Sequence, residues 1–549
     1  MEQVKSILCA ALGFLCLTVV GGIGFIWKMY HNQQELYSMM NGLVGERGQV
    51  ASSIDVNQPI IQRVVSQSQV WRPVQKKVKD TVVQIFAQTA EFNMLEPYKA
   101  PTQKTSRGSG FFIRYEGNVC LITNAHVINQ AKAIWFQVPS MGKQFLDAEI
   151  KGISPDHDLA LLQLTNESSS RIEKELGKIP ALELGDSDLV RRSDEVMALG
   201  YPLGQQSLKS TTGVISGREQ HMIQMSAAIN PGSSGGPLLN SNGDVIGVNF
   251  AGVVGAQNVG YIIPINDLKI ILPDLYEIPL LRKPFLGVLY NNATESLTEF
   301  LGNPKPGGCY VIEVVKGSTL YKAGVQRGDM IYAINGHKLD MYGEMNVPWS
   351  EDKVSIVDYV SRLSVGQDVH LVVYRNGHRK TMNVKFSQTE LPPIRTVYPG
   401  FEDIDYEVVA GMVIMPLTIN HIQILAQGAS GLAKYAEIKN QTEPQLVVTH
   451  IFSTSELYKS RTLSLGATIN EVNGVKVRTL EDLRGAFKSG VGNKFLTIKA
   501  SDHIMRSSEN VFVALPFEKV LAQEEQMAKD YHYPLSDTVK QLLKSTKTV

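Results

Sequence analysis

Cysteine is scarce in this chain: Cys9, Cys16, Cys120 and Cys309 are the only four in 549 residues. Two of them lie in an N-terminal apolar run and the others are far apart, so no disulfide framework and no C-x-x-C metal spacing can be assembled. An excess of charge of either sign is also missing. Lys and Arg number 53, Asp and Glu 53, and there is no block of five or six like charges. Nucleic acid, which calls for a basic face, is therefore not an expected partner. The 11 histidines are scattered; there is no H-E-x-x-H, no P-loop and no dinucleotide fingerprint after a strand. Neither a metal nor a cofactor is expected.

What is present is the composition of a folded, multidomain chain. Hydrophobic residues make up 43% and charged residues 19%, and the length exceeds what one core serves, which suggests three or four units. One long apolar run exists, the 21 uncharged residues from Ile7 to Trp27, bounded by Lys5 and Lys28. As a helix it would reach about 31 Å, the thickness of a hydrocarbon core. It ends in Phe25, Ile26, Trp27, Lys28 and Tyr30, an interfacial pattern, and it exceeds the ~7–15 residues usual in a cleaved signal. We expect a retained transmembrane anchor over 1–28, with the body exported.

Residues 29–75 are polar, interrupted by Gly42, Gly45 and Gly48, and read as a linker. From 76 to 282 short apolar runs alternate with turn residues: Val82–Ala87, Val119–Thr123, Ala133–Val138, Leu159–Leu164 and Val196–Leu199. Asn242-Gly243 between two such runs is a hairpin signal. The pattern predicts an all-β barrel pair or sandwich. After Pro284 an order of segments occurs twice. Gly308–Val315, Ser318…Val325 and Gly328–Gly336 correspond to Pro444–Ile451, Ser460…Leu463 and Gly466–Gly474. Each copy is a strand, a turn, then a strand ending at Asn-Gly. This predicts two small α/β modules, 283–388 and 393–523, followed by a tail over 524–549. A helix is predicted over Ser355–Val365, with Ile356, Val360 and Leu363 on one face.

Three stretches carry chemistry. His126 follows the apolar strand Val119–Ile122 in Thr123-Asn-Ala-His-Val-Ile. Asp158 directly precedes Leu159-Ala-Leu-Leu, with Asp156 two residues earlier as a competitor. Ser234 sits in Asn230-Pro-Gly-Ser-Ser-Gly-Gly-Pro237, where flanking glycines let successive N–H groups converge on one point, as an oxyanion hole requires. Each alone has a plain structural origin: a buried histidine, a turn aspartate, a Gly/Ser loop. Together, His, then Asp, then Ser, each on a loop beside a strand in one β region, follow the chain order of chymotrypsin-type hydrolases. The nucleophile elbow G-x-S-x-G of other hydrolases needs a helix after the serine, and here the sequence reads as strand.

These stretches, together with Gly200-Tyr-Pro-Leu-Gly204, resemble the HtrA/Deg family of serine proteases, and the two repeats resemble its PDZ domains. The likeness extends through Pro284-Phe-Leu-Gly-Val, Asn346-Val-Pro-Trp349 and Gly411-Met-Val-Ile-Met-Pro-Leu417. In this half it is most similar to plant-type members with a degenerate second PDZ domain. The resemblance implies a chymotrypsin-like double β-barrel followed by two PDZ-type modules, with Ser234 as nucleophile, His126 as base and Asp158 as orienting acid. Gly232, Ser233 and Ser234 would form the oxyanion loop. The family loop carries Asn where Ser233 stands, which leaves a loop in need of ordering as an expectation.

Ala228, six positions before Ser234, and Ile229 would line a primary pocket without a carboxylate, for small or medium aliphatic residues. Phe285, Leu286, Gly287 and Val288 would grip peptide C-termini, with the second module a scaffold. The resemblance further implies ATP-independent cleavage of misfolded proteins, a homotrimer or a multiple of it, and a body facing a bacterial periplasm or an equivalent organellar compartment. A chaperone-like scaffold and a small-ester hydrolase are the competing readings.

Overall fold

The computed structural model describes residues 71–252, 258–284, 287–387, 391–502 and 508–546. The expected anchor and most of the expected linker lie outside them. Among the described residues no helix is long and apolar enough to cross a membrane. The compact body begins at Pro73.

The short apolar runs become two closed six-stranded barrels. The first is built from β1 (Val82–Glu91), β2 (Thr102–Tyr115), β3 (Asn118–Thr123), β4 (Ala131–Gln137), β5 (Leu146–Ser154) and β6 (Leu159–Leu164). The second uses β7 (Glu195–Gly200), β8 (Lys209–Glu219), β9 (Met222–Met225), β10 (Pro237–Leu239), β11 (Val245–Gly252) and β12 (Gly260–Pro264). Closure removes the edges that short strands would otherwise expose. Each barrel encloses its own core: Phe112, Leu121, Phe136, Leu146 and Leu162 in the first, Val196, Ile223, Met225, Leu238 and Ile262 in the second. Two helices inside this region, Asn166–Leu176 and Ile265–Glu277, have no counterpart in the expected all-β pattern. The first starts where the Thr165 side chain accepts the Ser168 N–H, an ordinary N-cap.

The first module contains β13 (Val288–Asn292), β14 (Cys309–Val314), β15 (Met330–Ile334), β16 (His337–Lys338), β17 (Glu344–Met345), β18 (Val354–Ser355), β19 (Asp368–Arg375) and β20 (His378–Lys385). The second contains β21 (Glu407–Val409), β22 (Met412–Pro416), β23 (Leu446–Ile451), β24 (Thr468–Val472), β25 (Val475–Lys476), β26 (Phe495–Asp502) and β27 (Ser508–Pro516). The sheet orders β13-β14-β15-β19-β20 and β22-β23-β24-β26-β27 are the same, so the sequence repeat is a structural one. Both Asn-Gly pairs have positive φ, 49° and 83° at Asn335 and Gly336, 51° and 82° at Asn473 and Gly474, the conformation that favours this dipeptide.

The helix predicted over Ser355–Val365 is shorter, Ile356–Val360. After it Arg362 and Leu363 continue in a tighter turn, their N–H groups donating to Tyr359 O and Val360 O at 3.2 and 3.0 Å, and the Arg362 side chain reaches the protease barrels. Its guanidinium bonds Asp188 at 3.0 Å and Asp267 at 3.3 Å and lies 4.2 Å from the Trp349 ring. Trp349 also meets Arg218 of the second barrel, which gives the Asn346–Trp349 motif a docking role. Burial pushes Asp267 up to about 6.

The second module differs from the first at its peptide edge. In the first, β13 ends the sheet, leaving one edge unpaired among the described residues. In the second the equivalent strand β22 is covered by β21, with Glu407 opposite Ile414 and Val409 opposite Met412. The turn between them, Ala410-Gly411, matches Gly287 of the first module. A Cβ on Gly411 would lie 2.2 Å from Ser455 Cβ, and one on Gly287 2.0 Å from Ser318 Cβ. The Ala410 N–H donates to the buried Glu524 carboxylate at 2.6 Å.

Glu524 corrects an expectation. The boundary at 523 falls inside the helix Phe517–Tyr531, whose Phe517, Val520, Leu521, Glu524 and Met527 face inward at helical spacing. Val539 and Leu542 of the last helix, Asp537–Thr546, are buried in the same core. The stretch 524–546 is part of the module, not a tail. The module is also tied to the first barrel by the β1–β2 loop. Tyr98 packs on Phe452 and Tyr533 with ring centroids 5.6 and 5.8 Å apart, and the Met94 carbonyl meets His421 Nε2 at 3.0 Å.

Burial pushes Glu524 up to about 8, far above an unfolded carboxylate. Between those two values the folded chain holds a proton that the unfolded chain has lost, so stability falls as pH rises through this window. Glu524→Gln keeps the bond from Ala410 and removes the slope. Its melting temperature is expected to exceed the parent's by about 3 °C or more at pH 8.5 and by less at pH 5, as read by calorimetry.

Candidate active site

His126 and Asp158 come from the first barrel, Ser234 from the second. His126 lies in a single 3-10 turn, Ala125–Val127, between β3 and β4. Ala125 and Val127 are buried, so the residue between them projects outward. Asp158 lies in the β5–β6 turn at φ 51°, a left-handed conformation that Asp tolerates better than most residues. Asn124 Nδ2 donates to the Asp158 carbonyl at 2.9 Å. The Asp158 carboxylate takes both bonds that His126 offers it: Oδ1 accepts the backbone N–H at 2.8 Å, and Oδ2 faces Nδ1 at 2.7 Å. With the Nδ1 proton directed at a carboxylate, Nε2 is left as an acceptor. Asp156 is differently engaged, its two oxygens taken by the Lys283 N–H at 2.9 Å and the Tyr398 hydroxyl at 2.5 Å.

Ser234 follows a tight turn between β9 and β10. Ser233 N–H donates to Asn230 O at 2.9 Å, Pro231 is second and Gly232 third with φ 96°, the features of a type II turn. The Leu203 N–H donates to the Pro231 carbonyl at 2.6 Å. Because a trans peptide points its N–H opposite to its C=O, this bond directs the Gly232 N–H away from the Tyr201–Gly204 loop. Ser233 spends its N–H inside the turn, so its part is in forming the loop. The N–H groups of Gly232 and Ser234 have no acceptor among the described residues. The turn is held by backbone and by neighbours, not by the Ser233 side chain. Ser109 donates its Oγ–H to Gly232 O at 2.7 Å, accepts Tyr201 N–H at 2.9 Å, and sends its own N–H to Ser234 O at 2.8 Å. Asn249 N–H and Nδ2 secure Gly236 O and Leu199 O at 2.8 and 2.9 Å.

The Ser234 hydroxyl donates to the Phe250 carbonyl at 3.0 Å. Phe250 in turn meets the His126 ring edge to face, centroids 6.3 Å apart. The three residues therefore gather at one barrel junction, with His126 bonded to Asp158 and Ser234 turned onto Phe250. Among the described residues Ser234 has no hydrogen bond to His126.

Ser109, Leu203 and Asn249 are not among the residues expected from the sequence. Ser109 had a signal, since glycines on both sides of a serine within a strand mark a close approach, as did a lone Asn in the apolar run Val245–Ala251. Leu203 contributes only its backbone. Of the expected pocket, Ile229 is buried and faces Gly260, where an added Cβ would lie 3.0 Å from Ile229 Cγ1, while Ala228 is exposed with its carbonyl accepting the Thr211 hydroxyl at 3.1 Å. In the first module Gly287 and Val288 stand at the start of β13; Phe285 and Leu286 lie outside the described residues.

Comparison with known proteins bears on the same segments. Residues 108–248 match the trypsin-like peptidase domain and residues 284–386 the PDZ domain. The probable periplasmic serine endoprotease DegP-like of Chlamydia trachomatis is 30% identical over 419 residues, covering 74% of this chain and 75% of that protein. Its counterpart in Hahella chejuensis is 31% identical over 306 residues, 53% of this chain and 60% of that one, and DegP of Salmonella typhimurium is 29% identical over 296 residues, 51% and 58%. The matched part thus spans about three fifths of the length of the latter two relatives. A solved structure, the HtrA-type protease AlgW with decapeptide, is 26% identical with a TM-score of 0.45, covering 59% of this chain and 99% of its own. With a trypsin-like peptidase domain, a PDZ domain and a DegP-like relative aligned over most of both chains, this protein belongs to the HtrA/Deg family of serine endoproteases.

Proposed function

We propose that the chain is an ATP-independent serine endopeptidase acting on unfolded or misfolded proteins, with Ser234 as nucleophile, His126 as general base and Asp158 as the acid that orients it. The observation that carries this reading is the paired contact of one carboxylate with both the N–H and the Nδ1 of His126, beside two uncommitted N–H groups at Gly232 and Ser234. In the reaction Ser234 leaves Phe250 O, gives its proton to His126 Nε2 and attacks the peptide carbonyl. The two N–H groups receive the oxyanion, and His126 returns the proton to the leaving amine.

Ala228 and Ile229 favour small or medium aliphatic residues before the scissile bond. Gly287, Val288 and the edge of β13, unpaired among the described residues, suit an added peptide strand ending in a carboxylate; the sequence places Phe285 and Leu286 beside them. The covered edge of β22 suits the second module to assembly. The 21-residue apolar run supports a membrane-anchored, periplasmic or equivalent location, and family likeness supports a homotrimer or a multiple of it.

Purified protein is expected to degrade casein without nucleotide, with cuts after Val, Ala or Leu, and Ser234→Ala to abolish it. Degradation that persists in Ser234→Ala, or strict cleavage after Lys or Arg, refutes the proposal.

A further inference from the structure

Asp156 takes no part in the His126 contact, yet its carboxylate is where the two connectors between modules meet. The first connector leaves the second barrel and runs beside β5. Ile153 N–H donates to Pro279 O at 3.0 Å, Leu281 N–H donates to Ile153 O at 2.8 Å, and Lys283 N–H ends on Asp156 Oδ2 at 2.9 Å. The second connector, between the two modules, brings the Tyr398 hydroxyl onto Asp156 Oδ1 at 2.5 Å.

Tyr398 is itself held in place. Its N–H donates to Glu402 Oε2 at 2.9 Å, and Arg395 takes Glu402 Oε1 at 2.9 Å. Arg282, from the first connector, lies 4.8 Å from the Tyr398 ring, pairs with Glu402 and donates to Thr396 O at 3.1 Å. Phe401 packs on the core of the first barrel.

Asp156 and Asp158 share one tight turn. His157 N–H donates to Ser154 O and Asp158 N–H to Pro155 O, both at 3.2 Å. His157 is buried beneath the turn with Nδ1 2.8 Å from Ser154 Oγ. A displacement of Asp156 therefore reaches Asp158 two residues later, and with it both bonds to His126. Catalytic geometry tolerates little of this, since a misplacement of ~1 Å can cost ~100-fold in rate.

Resting on the reading of Asp158 as the orienting acid, we infer that Asp156 and Tyr398 are positioning residues, through which both intermodule connectors hold the acid-bearing turn in register with His126. The connectors thereby bear on the chemical step itself, from the acid side of the site.

Tyr398→Phe removes one hydroxyl and nothing else. On a short fluorogenic peptide lacking a C-terminal carboxylate, kcat is expected to fall about 5- to 20-fold, with KM within about twofold of the parent and the melting temperature unmoved. Asp156→Ala lowers kcat at least as far, and the double variant falls no further than Asp156→Ala, because both act through one contact. Unchanged kcat in Tyr398→Phe, a loss confined to KM, or losses that multiply in the double variant overturn the inference. Asp158→Asn, measured alongside, separates two failures. If it retains activity, the triad reading itself is wrong; if it is inactive while Tyr398→Phe is fully active, only the connector role is wrong.

Discussion

Asp158→Asn is expected to leave the barrels folded and to lower kcat/KM by about 10⁴-fold. The size follows from the direction of the contacts. Asp158 Oδ1 accepts the His126 backbone N–H, so an asparagine here places its carbonyl oxygen on that donor and its NH₂ group opposite Nδ1. An NH₂ can only donate, and Nδ1 must then be the acceptor. The ring proton moves to Nε2, the atom that has to receive the Ser234 proton. The imidazole stays in place and is in the wrong tautomer. Steady-state kinetics on a fluorogenic peptide, with circular dichroism to verify the fold, provide the check. A loss of less than tenfold would show that the carboxylate contact is structural only.

Gly232→Ala is expected to lower kcat by about 10²–10³-fold, the cost of one oxyanion donor, with a smaller change in KM. A Cβ at this position lies 2.5 Å from the Tyr201 carbonyl oxygen, and φ of 96° is strained for any residue with a side chain. Relief requires turning the peptide between Pro231 and Gly232. That breaks the bond from Leu203 to Pro231 and swings the Gly232 N–H out of the site. The loop lies at the surface of a closed barrel, so the fold survives. Full activity in this variant would show that the Gly232 N–H takes no part in the reaction.

The parts of this site legible in the sequence are those that need a particular side chain. His126, Asp158 and Ser234 are legible because imidazole, carboxylate and hydroxyl in that order, each beside an apolar strand, rarely fall together for structural reasons alone. The Asn-Gly turns at 335–336 and 473–474 are legible because positive φ selects those residues. Leu203 is not, since any residue but proline supplies its N–H. The role of Asp156 is not either, because the Tyr398 that binds it is 242 residues away and no local pattern records a contact at that range. The helix Phe517–Tyr531 does carry a periodic apolar face, but among the described residues the first module has no counterpart to it, so a boundary drawn from the repeat falls short. The helix expected to reach Val365 stops at Val360 and tightens into i→i−3 bonds at Arg362 and Leu363, while the contacts of Arg362 with Asp188 and Asp267, 174 and 95 residues away, leave no local pattern.

The Ser234 hydroxyl rests on Phe250 O rather than on His126. In the proposed reaction the hydroxyl turns from Phe250 O toward His126, while the oxyanion turn already has its type II form. Ser233, in place of the family Asn, joins that turn through its backbone N–H. The side chain is not what holds it; Ser109, Leu203 and Asn249 do, through bonds to backbone groups.

The central claim is that a nucleophilic serine at 234 is activated by His126, and a fluorophosphonate probe tests it on the intact chain. Labelling is expected at Ser234 alone, mapped by peptide mass, and is expected to be lost in His126→Ala. Labelling at another residue, or labelling of Ser234 that proceeds at full rate without His126, would contradict it.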